Sequence, residues 1–290
     1  GSINLAKMVK HEAGQWVIDW DKLADVTAKS VHFLDNMVDV NYYLLKEIEA
    51  MNKGNRKIGL GVMGFADMLI QLGIPYNSEE AVAKAEEVMG FVDKVGKETS
   101  CELAKKRGNF PNFEGSRWQK EGWSHFRNST VTTIAPTGTT SIFANCSSGI
   151  EPVFALVYVR KNILEQDNND VFIEGHPIFE KLAKDRWFYS RELMEEVAEK
   201  GGVQTVAVVP DDVKKAFITA HDVSAEWHVR IQAAFQKYTD NAVSKTVNIP
   251  NSATVEEVEQ IYLMAYDTKC KGITIYRDGS RDKQVLNLKK

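Results

Sequence analysis

Residues 131–142 read Val131-Thr-Thr-Ile-Ala-Pro-Thr-Gly-Thr-Thr-Ser-Ile142, and the interpretation of the whole chain starts from this stretch. Its first four residues are all β-branched, which predicts a short buried strand over Val131–Ile134. Pro136 and Gly138 end that strand, and we expect Gly138 to allow a turn that a Cβ would obstruct. The following Thr139, Thr140 and Ser141 favour the start of a helix.

A helix start has free amide N–H groups that attract anions, and hydroxyl groups add further donors. The order strand, turn, helix therefore predicts a cradle for a phosphate group over residues 131–142. An ordinary strand-to-helix turn with a threonine or serine cap accounts for the same pattern, and the motif alone favours that simpler interpretation.

Composition restricts the class of protein. The hydrophobic fraction of 43% and charged fraction of 26% are normal for a globular chain. A net charge of −4 gives no basic field for nucleic acid, and no apolar run is long enough to cross a bilayer. The three cysteines are far apart, which argues against a disulfide framework and a thiolate zinc site. We expect a soluble, cytoplasmic enzyme or binding domain without a nucleic-acid or membrane partner.

Helical and strand patterns alternate along the chain, which predicts the α/β class. The predicted helices are one from Asp21 to Gly54, one over Ile58–Leu72, one from Ser78 to Arg107, and one over Val255–Asp267. The later predicted strands are Val153–Ile163, Lys245–Ile249 and Gly272–Tyr276, and Glu165–Asp170 is a predicted polar loop.

Glycines at 59, 61 and 64 match the GxGxxG pattern of dinucleotide-binding folds. No hydrophobic strand precedes them and no acidic residue follows at the required distance, so the match is weak. Close packing of a helix at these glycines is the better prediction.

Glu151 lies between Ile150 and Pro152, so its carboxylate is expected either in a structural salt bridge or in a functional site. No HExxH pair, GxSxG elbow or Walker A lysine is present. The spacing of the residues alone thus indicates a soluble α/β protein with one candidate phosphate cradle.

Four stretches together resemble the C-terminal half of the large catalytic subunit of ribonucleotide reductases. They are Asn55–Asp67, Glu102–Ser116, Ala135–Pro152 and Ala233–Asn248. The last of these, together with Cys270–Arg281, is similar to the class II, adenosylcobalamin-dependent branch. The resemblance extends from Gly1 to about Leu286.

The resemblance implies a ten-stranded α/β barrel made of two five-stranded halves, with residues 1–290 as a single domain forming the second half. It also implies that one turn holds the phosphates of the substrate at a helix start. The residues of that turn are Pro136, Thr137, Gly138, Thr139, Thr140 and Ser141. Glu151 would lie in the wall of the same cleft, and no catalytic role is assigned to it.

Important parts of the family pattern are expected outside this chain. The family's radical cysteine, its active-site Glu and Asn and its redox cysteines would precede the Gly1-Ser-Ile-Asn-Leu5 segment. The family's C-terminal CxxC tail is likewise expected outside this chain, whose last residues are Leu288-Lys-Lys. None of the three cysteines present has the family's Cys-x-Glu context, and packing is the predicted role of Cys146.

The implied activity is that of an adenosylcobalamin-dependent ribonucleoside-diphosphate reductase, to which this chain contributes the phosphate cradle and barrel wall. The implied partners are the N-terminal half of the reductase, a ribonucleotide and an external thiol reductant such as thioredoxin. The chain alone is expected to be inactive. Two alternatives stay open: a non-catalytic nucleotide-binding module derived from the barrel, and a different radical enzyme or structural protein on a related barrel.

Overall fold

The computed structural model describes residues 1–161 and 171–280 of the chain. The predicted loop Glu165–Asp170, the end of the strand predicted to reach Ile163, Arg281 and the final Leu288-Lys-Lys lie outside the described residues.

Helices and strands alternate throughout the described part of the chain, as predicted. The strands are β1 Ser2–Asn4, β2 Val9–Glu12, β3 Gln15–Ile18, β4 Gly61–Met63, β5 Val157–Lys161, β6 Val171–Gly175, β7 Thr246–Ile249 and β8 Thr274–Arg277. The α-helices are α1 Trp20–Val40, α2 Lys46–Asn55, α3 Phe65–Leu72, α4 Glu79–Arg107, α5 Arg117–Lys120, α6 Gly138–Ala144, α7 Pro177–Asp185, α8 Arg191–Lys200, α9 Asp211–Ala216, α10 Ala225–Gln236 and α11 Val255–Asp267.

Parallel pairing is the main feature of the strands that surround the quoted stretch. β1 pairs with β4, and β7 pairs with β8, both in parallel. Residues 131–134 are extended and pair at single positions on both sides, Thr132 with Leu60 and Ile134 with Val243. The predicted buried strand is thus present as an extended segment, and its side chains are mostly buried. Within the described residues these strands do not close into a barrel.

Helices cover the parallel strands and form the larger core with them. α1 buries Leu23, Thr27, Val31 and Asp35, which follow one another at intervals of four and therefore lie on one face. α4 begins at the predicted Ser78 cap, whose Oγ accepts a hydrogen bond from the amide of Ala81, and it ends at Gly108. α11 begins with a complete capping box between Thr254 and Glu257. None of the helices in residues 1–161 and 171–280 has the length and apolar character needed to cross a bilayer.

The single helix predicted from Asp21 to Gly54 is wrong, because the structure has two helices there. α1 ends at Val40, and Asn41 has extended backbone angles. Asn41, Tyr42 and Tyr43 are weak helix formers, and the hydroxyl of Tyr43 donates to the carbonyl of Val38 in the last turn of α1.

The helix predicted over Ile58–Leu72 is also wrong in its first half, which contains β4. The glycines are explained by strand packing, since a Cβ on Gly61 would lie 1.9 Å from the carbonyl oxygen of Thr133. The predicted helix packing is therefore wrong for Gly59 and Gly61, which lie against Thr133 of the 131–134 segment, while Gly64, at φ 71°, lies against Asn4 and Cys146.

Candidate functional site

The turn after residues 131–134 leads directly into α6, as the sequence predicts. The N-cap residue is Thr137, with the left-handed angles φ 52° and ψ 23°. Gly138, Thr139 and Thr140 are exposed, and their amides make no hydrogen bond within the described part of the chain. Unpaired amides at a helix start suit an anion, and the exposed hydroxyls of Thr139 and Thr140 stand beside them.

Gly138 does not have the role that we predicted for it. The residue with positive φ is Thr137, and a Cβ on Gly138 would meet no atom within 4 Å in the described structure. The turn is therefore possible without glycine at 138. The small residue leaves open space in front of the free amides.

Ser141 and Thr137 are tied to the protein rather than directed outwards. The Ser141 hydroxyl donates to the carbonyl of Gly138 at 3.1 Å and lies 2.9 Å from the hydroxyl of Ser148. The Thr137 hydroxyl accepts from the amide of Gly149 at 2.7 Å. Of the six predicted residues, Ser141 and Thr137 shape the turn, while Pro136, Gly138, Thr139 and Thr140 form its exposed surface.

The segment 147–151, which we call the backing segment, lies behind this turn and is held from several sides. The amide of Ser147 donates to the carboxylate of Asp67 in α3 at 2.5 Å. The carbonyl of Ile150 accepts from the hydroxyl of Tyr76 at 2.6 Å. Burial and the nearby charge of Glu151 raise the pKa of Tyr76, so its hydroxyl keeps its proton. The backing segment is therefore fixed before any ligand binds.

Glu151 forms a salt bridge, one of the two roles considered from the sequence. Its Oε2 lies 2.5 Å from the ammonium of Lys245, and its Oε1 accepts from the amide of Thr246 at 2.7 Å. Lys245 also contacts Nδ1 of His228 at 2.7 Å. Burial lowers the pKa of Lys245, and burial and the charge of Lys245 lower the pKa of His228 to about 2.

Cysteines and metal ligands give no second site in the described residues. Burial, and then the charge of Asp67, raises the pKa of Cys146 to about 11, so its thiol is protonated at neutral pH. All three cysteines are free. The described residues contain no group of three or more His, Cys, Asp and Glu side chains that could hold a metal ion.

Residues 1–276 match the family described as "Ribonucleotide reductase, barrel domain". The chain belongs to this family. The resemblance in its motifs is thereby confirmed, and so is the assignment of its α/β fold to the reductase barrel.

Two known relatives are similar to nearly the whole chain. It is 48% identical, over 99% of its length, to a protein of Thermoplasma acidophilum named vitamin B12-dependent ribonucleoside-diphosphate reductase. A protein of the same name from Mycobacterium tuberculosis is 45% identical over 99% of the chain. The chain covers 36% and 40% of these two relatives, so it spans well under half of their length, in their C-terminal part.

A solved structure shows the same fold. The alpha subunit of a class Id ribonucleotide reductase from Actinobacillus ureae matches 96% of this chain and 49% of its own, with a TM-score of 0.76 and 23% identity. At that identity the likeness concerns the fold alone.

Three side chains of the site were not identified from the sequence, although two of them leave a signal. Lys245 occupies a buried position in the alternation Val243, Lys245, Val247, Ile249, where an apolar residue is expected. Asp67 is a carboxylate within the apolar run Phe65–Ile70, all of which is buried. His176 lies outside any pattern, and only the fold brings its ring to Asp67.

Proposed function

We propose that this chain is part of an adenosylcobalamin-dependent ribonucleoside-diphosphate reductase, in which residues 1–290 form one domain, the second half of the catalytic barrel. The observation that carries the proposal is the identity of 45–48% to proteins named vitamin B12-dependent ribonucleoside-diphosphate reductase, over 99% of this chain. Identity of this level over the full chain supports a shared reaction as well as a shared fold.

The chain contributes a cradle for the substrate's phosphate groups at the start of α6. The free amides of Gly138, Thr139 and Thr140 and the hydroxyls of Thr139 and Thr140 donate to phosphate oxygens. Thr137 and Ser141 set the shape of the turn, and Pro136 lies on its exposed surface. This arrangement binds and orients the ribonucleotide and leaves the reacting ribose to groups outside the chain.

The cofactor belongs to the assembled enzyme. Adenosylcobalamin supplies the radical that starts the reaction when it is bound. The free donors of this chain suit phosphate oxygens, and no described residue identifies a surface for the corrin ring. We therefore assign no residue of this chain to the cofactor.

The remaining groups come from partners, namely the N-terminal half of the reductase and an external thiol reductant such as thioredoxin, in the cytoplasm. None of Cys101, Cys146 and Cys270 has the family's Cys-x-Glu context, so we expect the chain alone to be inactive. Exposure of apolar side chains beside the cradle supports a covering partner, because Ile142 is 75% and Phe143 87% exposed.

The decisive experiment mixes the chain with the upstream half of the reductase and measures deoxyribonucleotide formation with and without adenosylcobalamin. Activity that depends on the cofactor and on both halves supports the proposal. Turnover by the chain alone contradicts its predicted inactivity. Folded, associated halves without activity favour the alternative, a nucleotide-binding module without catalysis.

The cradle has its own test in the same assay. Replacing Thr139 and Thr140 together by valine removes two donors and should raise the KM for the nucleotide about tenfold or more. Thr205→Val is the matched control, since Thr205 is exposed in the connection between α8 and α9. A second variant combines Thr139→Ala with Ser141→Ala. If its nucleotide affinity is unchanged, the alternative of a different radical enzyme or structural protein on a related barrel is favoured.

A further inference from the structure

Lys245 is a buried cation that the phosphate cradle itself does not use. Its side chain has no exposed surface. Its ammonium contacts Oε2 of Glu151 at 2.5 Å, Nδ1 of His228 at 2.7 Å and the carbonyl of Thr246 at 2.5 Å. These three acceptors match its three N–H donors. Burying a charge is costly even when it is paired, so an apolar residue would fill this buried position directly before β7 at lower cost.

Glu151 forms hydrogen bonds with two consecutive residues, Lys245 directly before β7 and Thr246, the first residue of β7. Lys245 holds one carboxylate oxygen, and the amide of Thr246 donates to the other at 2.7 Å. A carboxylate held at both oxygens has a fixed direction, and its main chain is fixed with it. The pair thus attaches residue 151 to the parallel strands β7 and β8.

From Glu151 the connection continues into the cradle in two steps. The amide of Glu151 donates to the carbonyl of Ser148 at 2.9 Å, which shapes the backing segment into a turn. The hydroxyl of Ser148 then contacts that of Ser141 at 2.9 Å, and the amide of Gly149 donates to the hydroxyl of Thr137 at 2.7 Å. Thr137 and Ser141 are the two residues that shape the start of α6.

We propose that Lys245 is a positioning residue of the phosphate cradle: it holds Glu151, and through the backing segment it fixes Thr137 and Ser141 in the conformation that presents the free amides. The inference rests on the proposed function, because Lys245 does not contact the ligand and acts only through the proposed cradle. His228 takes part as a neutral ring whose Nδ1 accepts from the ammonium.

The test uses inorganic pyrophosphate as probe and isothermal titration calorimetry on the full 290-residue chain. Lys245→Met keeps an unbranched side chain one atom shorter and removes its charge, and Glu151→Gln removes the negative charge and one of the two acceptor oxygens. Both variants should weaken pyrophosphate binding about tenfold, the effect of losing one well-placed contact. Arg230→Met is the matched control, because Arg230 lies on the same helix as His228 and pairs with Glu79 of α4 at the surface.

The outcomes separate this inference from the proposed function. If the wild-type chain binds no pyrophosphate, the cradle itself is contradicted, and this inference falls with it. If the wild type binds and both variants bind equally well, the cradle stands and the role of Lys245 is wrong. If Lys245→Met does not fold, the Glu151→Gln variant decides alone. The side chain of Glu151 is one quarter exposed, so its substitution should disturb the fold less.

Amide hydrogen exchange distinguishes positioning from general stabilisation. In both variants a peptide covering residues 147–152 should exchange faster, while a peptide from α4 should keep the wild-type rate. An equal increase in both peptides shows that the pair only stabilises the fold, and it overturns the proposal.

Discussion

The imidazole Nε2 of His176 lies 2.8 Å from Oδ1 of Asp67, and the other carboxylate oxygen of Asp67 accepts the amide of Ser147. Asp67 is thereby the link between α3, the residue that precedes α7 and the backing segment of the candidate site. Its side chain is only 3% exposed, so water does not replace either partner.

Asp67→Ala should therefore lower the free energy of unfolding by about 3 kcal/mol, because it leaves the amide of Ser147 and the ring of His176 without their acceptor. Urea denaturation measures the loss. Asp25→Ala is the control, since Asp25 pairs with Lys29 at the surface and its removal should cost less than about 0.5 kcal/mol. Equal losses in the two variants would contradict this account of Asp67.

His228 predicts a dependence of stability on pH. Burial, and then the charge of Lys245, lowers the pKa of His228 from 6.5 to about 2 in the folded chain. Between these two values the unfolded chain binds a proton at this ring and the folded chain does not. The contribution of His228 to the free energy of unfolding is thus fully present above pH 6.5. It is lost progressively as the pH falls below 6.5.

The expected size follows from the same linkage. Between pH 7 and pH 5 the wild type should lose about 2 kcal/mol more than His228→Asn, whose amide oxygen offers Lys245 an acceptor that does not titrate. Urea denaturation of both proteins at the two pH values gives the comparison. If the free energy of unfolding changes equally with pH in both proteins, His228 takes up a proton as readily in the folded chain as in the unfolded chain, and the prediction is wrong.

The sequence predicted the local elements well where one signal dominated. Ser78 and Thr254 are strong helix caps, and the structure begins α4 and α11 directly after them. Residues 131–134 were predicted as buried and extended because every side chain is β-branched. The breakers Pro136 and Gly138 predict the turn before α6, although Thr137 is the residue with the unusual backbone angle.

The errors arose where local patterns are ambiguous or where tertiary contacts decide. The run from Ile58 to Leu72 is apolar at both helical and strand spacing. Its first part is a strand because Gly61–Met63 pair with β1 and Leu60 pairs with Thr132. The candidate site includes residues well outside the 131–142 motif. Asp67, His176 and Lys245 are far apart in sequence, and the fold alone brings them to the backing segment.

Cys146 should be unreactive in the folded chain although it closely follows the proposed phosphate cradle. Burial and the charge of Asp67 raise the pKa of its thiol from 9.0 to about 11, so the thiolate fraction at pH 8 is roughly 100-fold lower than in an unfolded chain. Iodoacetamide labelling followed by mass spectrometry compares Cys146 in native and urea-unfolded protein. Rapid labelling of native Cys146 at pH 8 would contradict the packing role.

Thr137 offers a test of the turn that separates its hydroxyl from its shape. Its Oγ1 accepts the amide of Gly149, which is buried, at 2.7 Å. Thr137→Val keeps the branched side chain and leaves that amide without a partner, which should lower the free energy of unfolding by about 1–3 kcal/mol. Thr137→Ser keeps the acceptor and removes one branch from a residue at φ 52°, where branched side chains are strained, so it should match or slightly exceed the wild type. Urea denaturation ranks the three proteins, and a valine variant as stable as the serine variant would show that the hydroxyl does not hold the backing segment.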